Sequence, residues 1–273
     1  MTDTNLSRFD GKIALVTGAA QGIGEATARI LADRGIAGLI LTDRNIEKGE
    51  AVARSMPVPA HFVAADLADV PSIQKLVPAA EEKFGRLDVL CNVAGNTERG
   101  TIIDTDQVLF DRIIAVNLRA PFFLMQDAAK HMIRNKIEGT MVNVSSVNAH
   151  GGGTILSAYS ASKAALVNLT KNTAAALAAH RIRVNCVLPG WVDTPGEHAT
   201  LKQFHDAKDN WLEEAEKAAA FGRLLKSDDI ARAIVYLASP ETALMTGSIL
   251  DYNQSVPATY ASPLDPKKWG TED

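Results

Sequence analysis

The chain reads as an α/β fold, a single doubly wound parallel sheet of about seven strands flanked by helices. Three observations predict this. Short apolar runs recur along the chain without polar alternation, segments of ten or more residues with helical character separate them, and a glycine-rich turn joins the first run to the first helix. Strands covered on both faces read as continuous apolar runs, and helical crossovers between them imply parallel pairing.

The elements follow in order. Lys12 to Thr17 is the first strand, and a helix runs from the glycine turn through Arg34. Gly38 to Thr42 is the second strand, followed by a helix from about Asn45 to Ser55. Ala60 to Ala65, Leu87 to Val93, Gly139 to Ser145 and Ile182 to Leu188 are the third to sixth strands. Ser248 to Tyr252 is the last, and a long helix headed by Tyr159 runs to about Ala179. No repeat, low-complexity tract or Pro/Gly/Ser-rich linker divides residues 1–273, so one domain is expected. Two stretches stand apart from the sheet. Residues 191–222 carry Leu201, Phe204, Trp211 and Leu212 at roughly helical spacing, and are expected to close over a substrate. The Pro-rich tail, 256–273, is either mobile or packed on a neighbouring subunit.

A length of 273 residues with 47% hydrophobic and 22% charged residues fits an ordinary globular protein with a substantial core. A net charge of −4 and the lack of a dense Lys/Arg block argue against a nucleic-acid partner. The polar N-terminus lacks an apolar signal region, and the longest apolar runs are too short to span a bilayer. A cytoplasmic protein without a membrane partner is expected. Cys91 and Cys186 each lie in a strand-like stretch and read as buried, reduced thiols. Six scattered histidines, with no pair at helical spacing, predict no metal site.

The turn Thr17-Gly18-Ala19-Ala20-Gln21-Gly22-Ile23-Gly24 lies directly after a strand and opens a helix. Its glycines let backbone approach a pyrophosphate, and free N–H groups at the helix start favour the anion. Gly18, Gln21, Gly22, Ile23 and Gly24 are therefore candidate cofactor contacts. Asp43, at the end of the second strand, can accept hydrogen bonds from the adenosine ribose hydroxyls and would repel a 2′-phosphate, which favours NAD over NADP. Arg44 follows it and could face a phosphate, so NADP stays open. Asp66 and Leu67 after the third strand, and Asn92, Ala94 and Gly95 after the fourth, fall where adenine and ribose contacts would lie; all also make sense as strand-end turns.

Tyr159 and Lys163 are spaced i, i+4, on one helix face. A free tyrosine, with a pKa of about 10, is a poor base near neutrality. A lysine and a positively charged nicotinamide would stabilise the phenolate and let it take a proton from an alcohol. Such a pair is common by chance, and its weight comes from placement. Ser145 and Ser146 follow the fifth strand, at the sheet edge where open α/β folds bind ligands, and a hydroxyl there can polarise a carbonyl.

With these motifs in this order, the chain resembles the short-chain dehydrogenase/reductase family over about residues 9 to 253. The resemblance implies a Rossmann-like fold and assigns Thr17 to Gly24 to the cofactor turn. It matches Asn92-Val93-Ala94-Gly95, with one substitution, to the family's Asn-Asn-Ala-Gly. It identifies Asn117, on a helix locally broken in the family, as a fourth catalytic residue that holds a water linking the lysine to solvent. It selects Ser146, thirteen residues before Tyr159, over Ser145. It also places Pro189, Gly190, Val192 and Thr194 beside the nicotinamide, with Tyr159 and Lys163 touching the cofactor as well. Family members are commonly tetramers, which implies a homotetramer or homodimer. The chain departs from the family's common Asp-Gly-Gly after the last strand, reading Asp251-Tyr252-Asn253-Gln254.

Substrate contacts are expected from 96–99, 148–156 and 191–222, with Asn148, His150, Trp191, Glu197 and His198 as candidates. The expected reaction is reversible oxidation of a secondary alcohol to a ketone with NAD, on a sugar or polyol, or on a small cyclic alcohol or hydroxy acid. The alternatives are an NADPH-linked carbonyl reductase and a non-catalytic Rossmann-fold binding or regulatory protein, whose mark would be loss of Ser146, Tyr159 or Lys163. All three are present.

Overall fold

The computed structural model describes residues 7–255. Seven parallel strands form the central sheet: β1 (Ile13–Thr17), β2 (Gly38–Asp43), β3 (Ala60–Ala64), β4 (Val89–Asn92), β5 (Thr140–Val144), β6 (Arg183–Pro189) and, at the far edge, a strand at Ile249–Tyr252. Two short strands, β7 (Val192–Asp193) and β8 (Leu225–Lys226), pair with each other outside it, so the edge strand is β9. The order β3-β2-β1-β4-β5-β6-β9 reverses direction between β1 and β4. At that reversal the loops leaving β1 and β4 diverge to opposite faces and open a crevice at the carboxyl edge.

Successive side chains of a strand point to opposite faces, and both faces here are apolar. Val16, Leu41 and Val142 pack under helices α1 (Gly22–Asp33), α2 (Ile46–Ser55) and α10 (Ser227–Ala238), where Ala28 and Leu31 share one buried cluster with Ile230 and Ile234. Leu15, Ile40, Leu90, Met141 and Val184 face the other layer. Its helices are the short α3 (Val70–Ile73), α4 (Leu76–Phe84), α6 (Ala120–Arg134) and α7 (Ser157–Leu177), with α5 (Gln107–Ile114) leading into α6. Each fully buried leucine or isoleucine contributes roughly 1.5–3 kcal/mol, which explains why the apolar runs alone reveal the sheet.

Strand ends differ from the expected ones by one or two residues for local reasons. β4 begins after Leu87 and Asp88, which are engaged sideways. The Leu87 N–H donates to His131 Nε2 at 3.0 Å, while Asp88, only 1% exposed, accepts from Ile13 N–H at 2.9 Å and from Arg86. The long helix starts at Ser157 and ends at Leu177, then tightens into a 3₁₀ turn at Ala178–His180. The stretch 191–222 holds β7, α8 (Pro195–His205) and α9 (Trp211–Ala218). The tail 256–273 lies outside the described residues. Among the described residues, no helix is long and apolar enough to cross a membrane, and both cysteines are free and buried.

Candidate active site

A cleft of about 1370 Å³ runs along the carboxyl edge of the sheet, centred on the reversal between β1 and β4. One end is lined by the β1–α1 turn, Gly18, Gln21, Gly22, Ile23 and Gly24, with Asp43, Arg44, Asp66 and Leu67 after β2 and β3. Gly18 and Gly22 have φ of +68° and +62°, values that an L side chain rarely adopts. A Cβ on Gly24 would overlap the Gly18 carbonyl, so the helix start can lie against the turn only with glycine there. Gln21 caps α1 without a side-chain hydrogen bond, leaving the first-turn N–H groups directed at the cleft for an anion.

Two anchors fix this end. Thr17 Oγ1 accepts from the N–H groups of Val93 and Ala94 at 2.9 and 3.1 Å, tying the end of β1 to the loop after β4. Asp43 accepts from Ala20 N–H at 3.2 Å through one oxygen and from Asn45 N–H at 2.9 Å through the other. Each carboxylate oxygen keeps lone-pair capacity toward the cleft. The cradle fits a dinucleotide: glycine-limited backbone for a pyrophosphate, and an oriented carboxylate for a ribose diol.

The other end holds Ser146, Tyr159 and Lys163 on the floor, with Ala94, Gly95, Pro189, Gly190, Val192 and Thr194 around them. Tyr159 and Lys163 lie one turn apart near the start of α7, and Lys163 Nζ is 5.7 Å from the centre of the phenol ring. The ammonium donates to the Val144 carbonyl at 2.9 Å, and burial lowers its pKa to about 8. Burial raises the Tyr159 phenol above its ordinary value; the Ser146 hydroxyl and Arg99 act to lower it, and Glu197 to raise it. Ser146 Oγ accepts from Asn148 N–H and side-chain amide at 3.2 and 3.3 Å. Ser145 points the other way, donating to the Lys163 carbonyl at 2.8 Å and pinning α7 to β5.

Asn117 stands in a π turn, Ala115–Arg119, wedged between α5 and α6. The wider turn frees backbone groups and lets the side chain leave the helix line. Its oxygen accepts from Asn96 N–H at 2.7 Å, and its amide donates to the Asn96 carbonyl at 2.9 Å and to Ser162 Oγ at 3.1 Å. Asn117 is fully buried and does not line the cleft; it holds the loop after β4 against α7.

Three further residues named from the sequence stand away from the cleft wall. Asn92 lies on the same face of β4 as Leu90, toward α6 and α7, and donates to Asn143 Oδ1 at 2.9 Å. His150 is drawn off by Asp251, at 2.7 Å, on the last strand. His198 is held between Asp193 Oδ1, at 2.7 Å, and Trp211, whose indole N–H donates to Nδ1 at 3.3 Å. Asn148 and Trp191 do line the cleft. Sequence reading passed over the Thr17 hydroxyl and Asn143, which also donates to Thr170 at 2.9 Å. A polar residue inside the apolar run Met141 to Val144 was the available signal.

At this end an ion pair joins two residues of the cleft wall. Arg99 meets Glu197 Oε1 at 3.3 Å, both side chains being only 13% and 15% exposed. Trp191 donates to the same oxygen at 3.0 Å and stacks on Trp211, with ring centres 5.8 Å apart. Lys226 braces the helices from behind, donating to Asp193 at 2.9 Å and Glu216 at 2.7 Å.

Known proteins resemble this chain in sequence and in fold. A family model described as enoyl-(acyl carrier protein) reductase matches residues 18–254. Galactitol 2-dehydrogenase of Agrobacterium fabrum is 35% identical over 241 residues, covering 86% of this chain and 93% of that protein. The 3-oxoacyl-[acyl-carrier-protein] reductase of Thermotoga maritima is 35% identical over 246 residues, covering 89% and 96%. A solved structure titled a short chain dehydrogenase/reductase family protein superimposes with a TM-score of 0.79 at 36% identity, covering 90% of this chain and 97% of that one.

Proposed function

The chain belongs to the short-chain dehydrogenase/reductase family of oxidoreductases, and from that premise we propose that it oxidises a secondary alcohol to a ketone, reversibly, with NAD. The observation that carries this reading is the placement of Ser146, Tyr159 and Lys163 on the floor of one cleft whose other end is the Gly18–Gly24 cradle. Asp43 supports NAD, since its two oxygens are already oriented by Ala20 and Asn45.

When bound, the cofactor supplies the hydride acceptor and a positive ring beside the phenol. Tyr159 takes the proton of the substrate hydroxyl. Its phenol is held protonated by burial in the cofactor-free protein, so the base is generated only as positive charge enters the site. Lys163, protonated below a pKa of about 8, is already in the site and adds its charge to the one that arrives. Ser146 orients the reacting oxygen, and Asn148 orients Ser146. Asn117 keeps the Asn96 backbone in place, next to Gly95, which lines the cleft with Lys163. Val192 and Thr194, which line the cleft, would hold the carboxamide end of the cofactor, and the 191–222 stretch would cover substrate and exclude water.

Polyols are the first substrate class to examine, followed by small cyclic alcohols. A panel of both with NAD and NADP, following reduced cofactor by absorbance, tests the reading. Turnover with NAD at a clear advantage supports it. A strong NADPH preference would instead favour a carbonyl reductase, with Arg44, which lines the cleft, as its phosphate contact. The enzyme is proposed to work in the cytoplasm as a homotetramer or homodimer, a reading supported by exposed Phe110 and Phe122 on neighbouring helices and tested by light scattering.

A further inference from the structure

Glu197 uses only half of its carboxylate within the protein. Oε1 accepts from both Arg99 and Trp191, while no donor reaches Oε2 among the described residues, and Glu197 itself lines the cleft. Arg99 is the reverse case. Its guanidinium donates to the Thr97 carbonyl at 2.7 Å, to His205 Nε2 at 3.2 Å and to Glu197, so its charge is already answered. Arg99 and Glu197 line the same cleft as Ser146 and Tyr159, so the pair faces the space where a substrate would sit.

Resting on the hydride-transfer reading above, we propose that Glu197 is a specificity-determining residue. Its free oxygen accepts a hydrogen bond from a second hydroxyl next to the reacting carbinol, selecting neutral vicinal diols and polyols and rejecting substrates that carry a carboxylate.

The chemistry is one-sided. A carboxylate oxygen accepts but cannot donate at neutral pH, so it matches a hydroxyl and repels another carboxylate. Arg99 would favour an anion if it were free, but it is paired with Glu197 at 3.3 Å, with both side chains mostly buried, so the pair offers an anion no net positive charge. The indole of Trp191 fixes the rotamer of Glu197, so the free oxygen is preset and little ordering is needed on binding.

Three ring compounds isolate the effect: cyclohexanol, 1,2-cyclohexanediol and 4-hydroxycyclohexanecarboxylate. The wild type should show a kcat/KM for the diol about tenfold above that for cyclohexanol, and for the acid about tenfold below it. In Glu197→Gln both ratios should move toward one. Binding gives an independent readout: with NAD present, and in a Tyr159→Phe background to stop turnover, the diol should change Trp191 fluorescence at lower concentration than cyclohexanol. Glu197→Gln should remove that difference. Ratios that stay fixed in Glu197→Gln overturn the proposal while leaving the hydride-transfer reading intact, as does a wild type that prefers the acid. No turnover of any of the three, with the fluorescence preference and its loss in Glu197→Gln still observed, sustains the binding role and overturns the hydride-transfer reading instead.

Discussion

Replacing Asp43 by alanine should invert cofactor preference, and the size of the effect follows from what its carboxylate touches. The backbone N–H groups of Ala20 and Asn45 occupy one direction on each oxygen, leaving two acceptor sites for two ribose hydroxyls. Charge-assisted hydrogen bonds contribute roughly 1.5 kcal/mol each at the low end, so losing two costs about 3 kcal/mol, roughly a hundredfold in the Kd for NAD. NADP should move the other way. A carboxylate about 4 Å from a doubly charged phosphate is repelled by roughly 2 kcal/mol even at the dielectric of water. Removing it should tighten NADP by about thirtyfold, with Arg44 left to face the phosphate. Equilibrium titration of each cofactor against protein fluorescence measures both constants, and Asp43→Asn, which keeps an acceptor but not the charge, separates the two contributions. An NAD Kd unchanged in Asp43→Ala would refute the reasoning and leave Asp43 as a backbone clamp between β1 and β2.

Tyr159→Phe should abolish turnover while changing the Kd for NAD by no more than a few-fold, since only the phenol oxygen is lost; residual activity near wild type would remove Tyr159 as the base. Thr17→Val should leave the part-buried N–H groups of Val93 and Ala94 without their side-chain partner, costing roughly 1–2 kcal/mol and about 3–6 °C in Tm, which calorimetry reads directly. His131 is buried with a pKa below the usual histidine value, and its Nε2 must stay unprotonated to accept from Leu87. The unfolded chain therefore takes up this proton first, at about 6.5. Stability present above that pH should fall as pH drops through it toward the lower folded value. Urea unfolding between pH 7.5 and 5.5 should show a steeper loss in the wild type than in His131→Gln, and equal slopes would sink the account.

The sheet was legible because both its faces are apolar, so each strand announces itself without any knowledge of its neighbours. The glycine turn and Asp43 were legible for a related reason, being fixed by their position at strand ends. What could not be read were contacts set by tertiary register. Asn92 and Ala94 are two residues apart, yet one points under the sheet and the other into the cleft. Arg99 and Glu197 meet in the cleft wall although nothing in either local sequence names the other. His150 and His198 looked like substrate contacts because the sequence could not show Asp251 and Asp193 waiting for them. The π turn at Asn117 was expected only through the family resemblance, since a widened helical turn leaves no mark in apolar periodicity.

The packing of α1 on α10 has a consequence for how the protein is made. The helix that presents its free N–H groups to the cofactor is supported by one from the opposite end of the chain, and β9 closes the sheet later still. During synthesis the cofactor turn emerges first, and α1 can rest on β1 and β2, but the side it shares with α10 stays uncovered until α10 has left the ribosome. The nascent chain therefore carries the α10-facing side of α1 uncovered through most of its elongation, a window in which chaperone binding or aggregation competes with folding. Truncations that stop short of α10 should yield no isolated nucleotide-binding half, however complete the glycine turn.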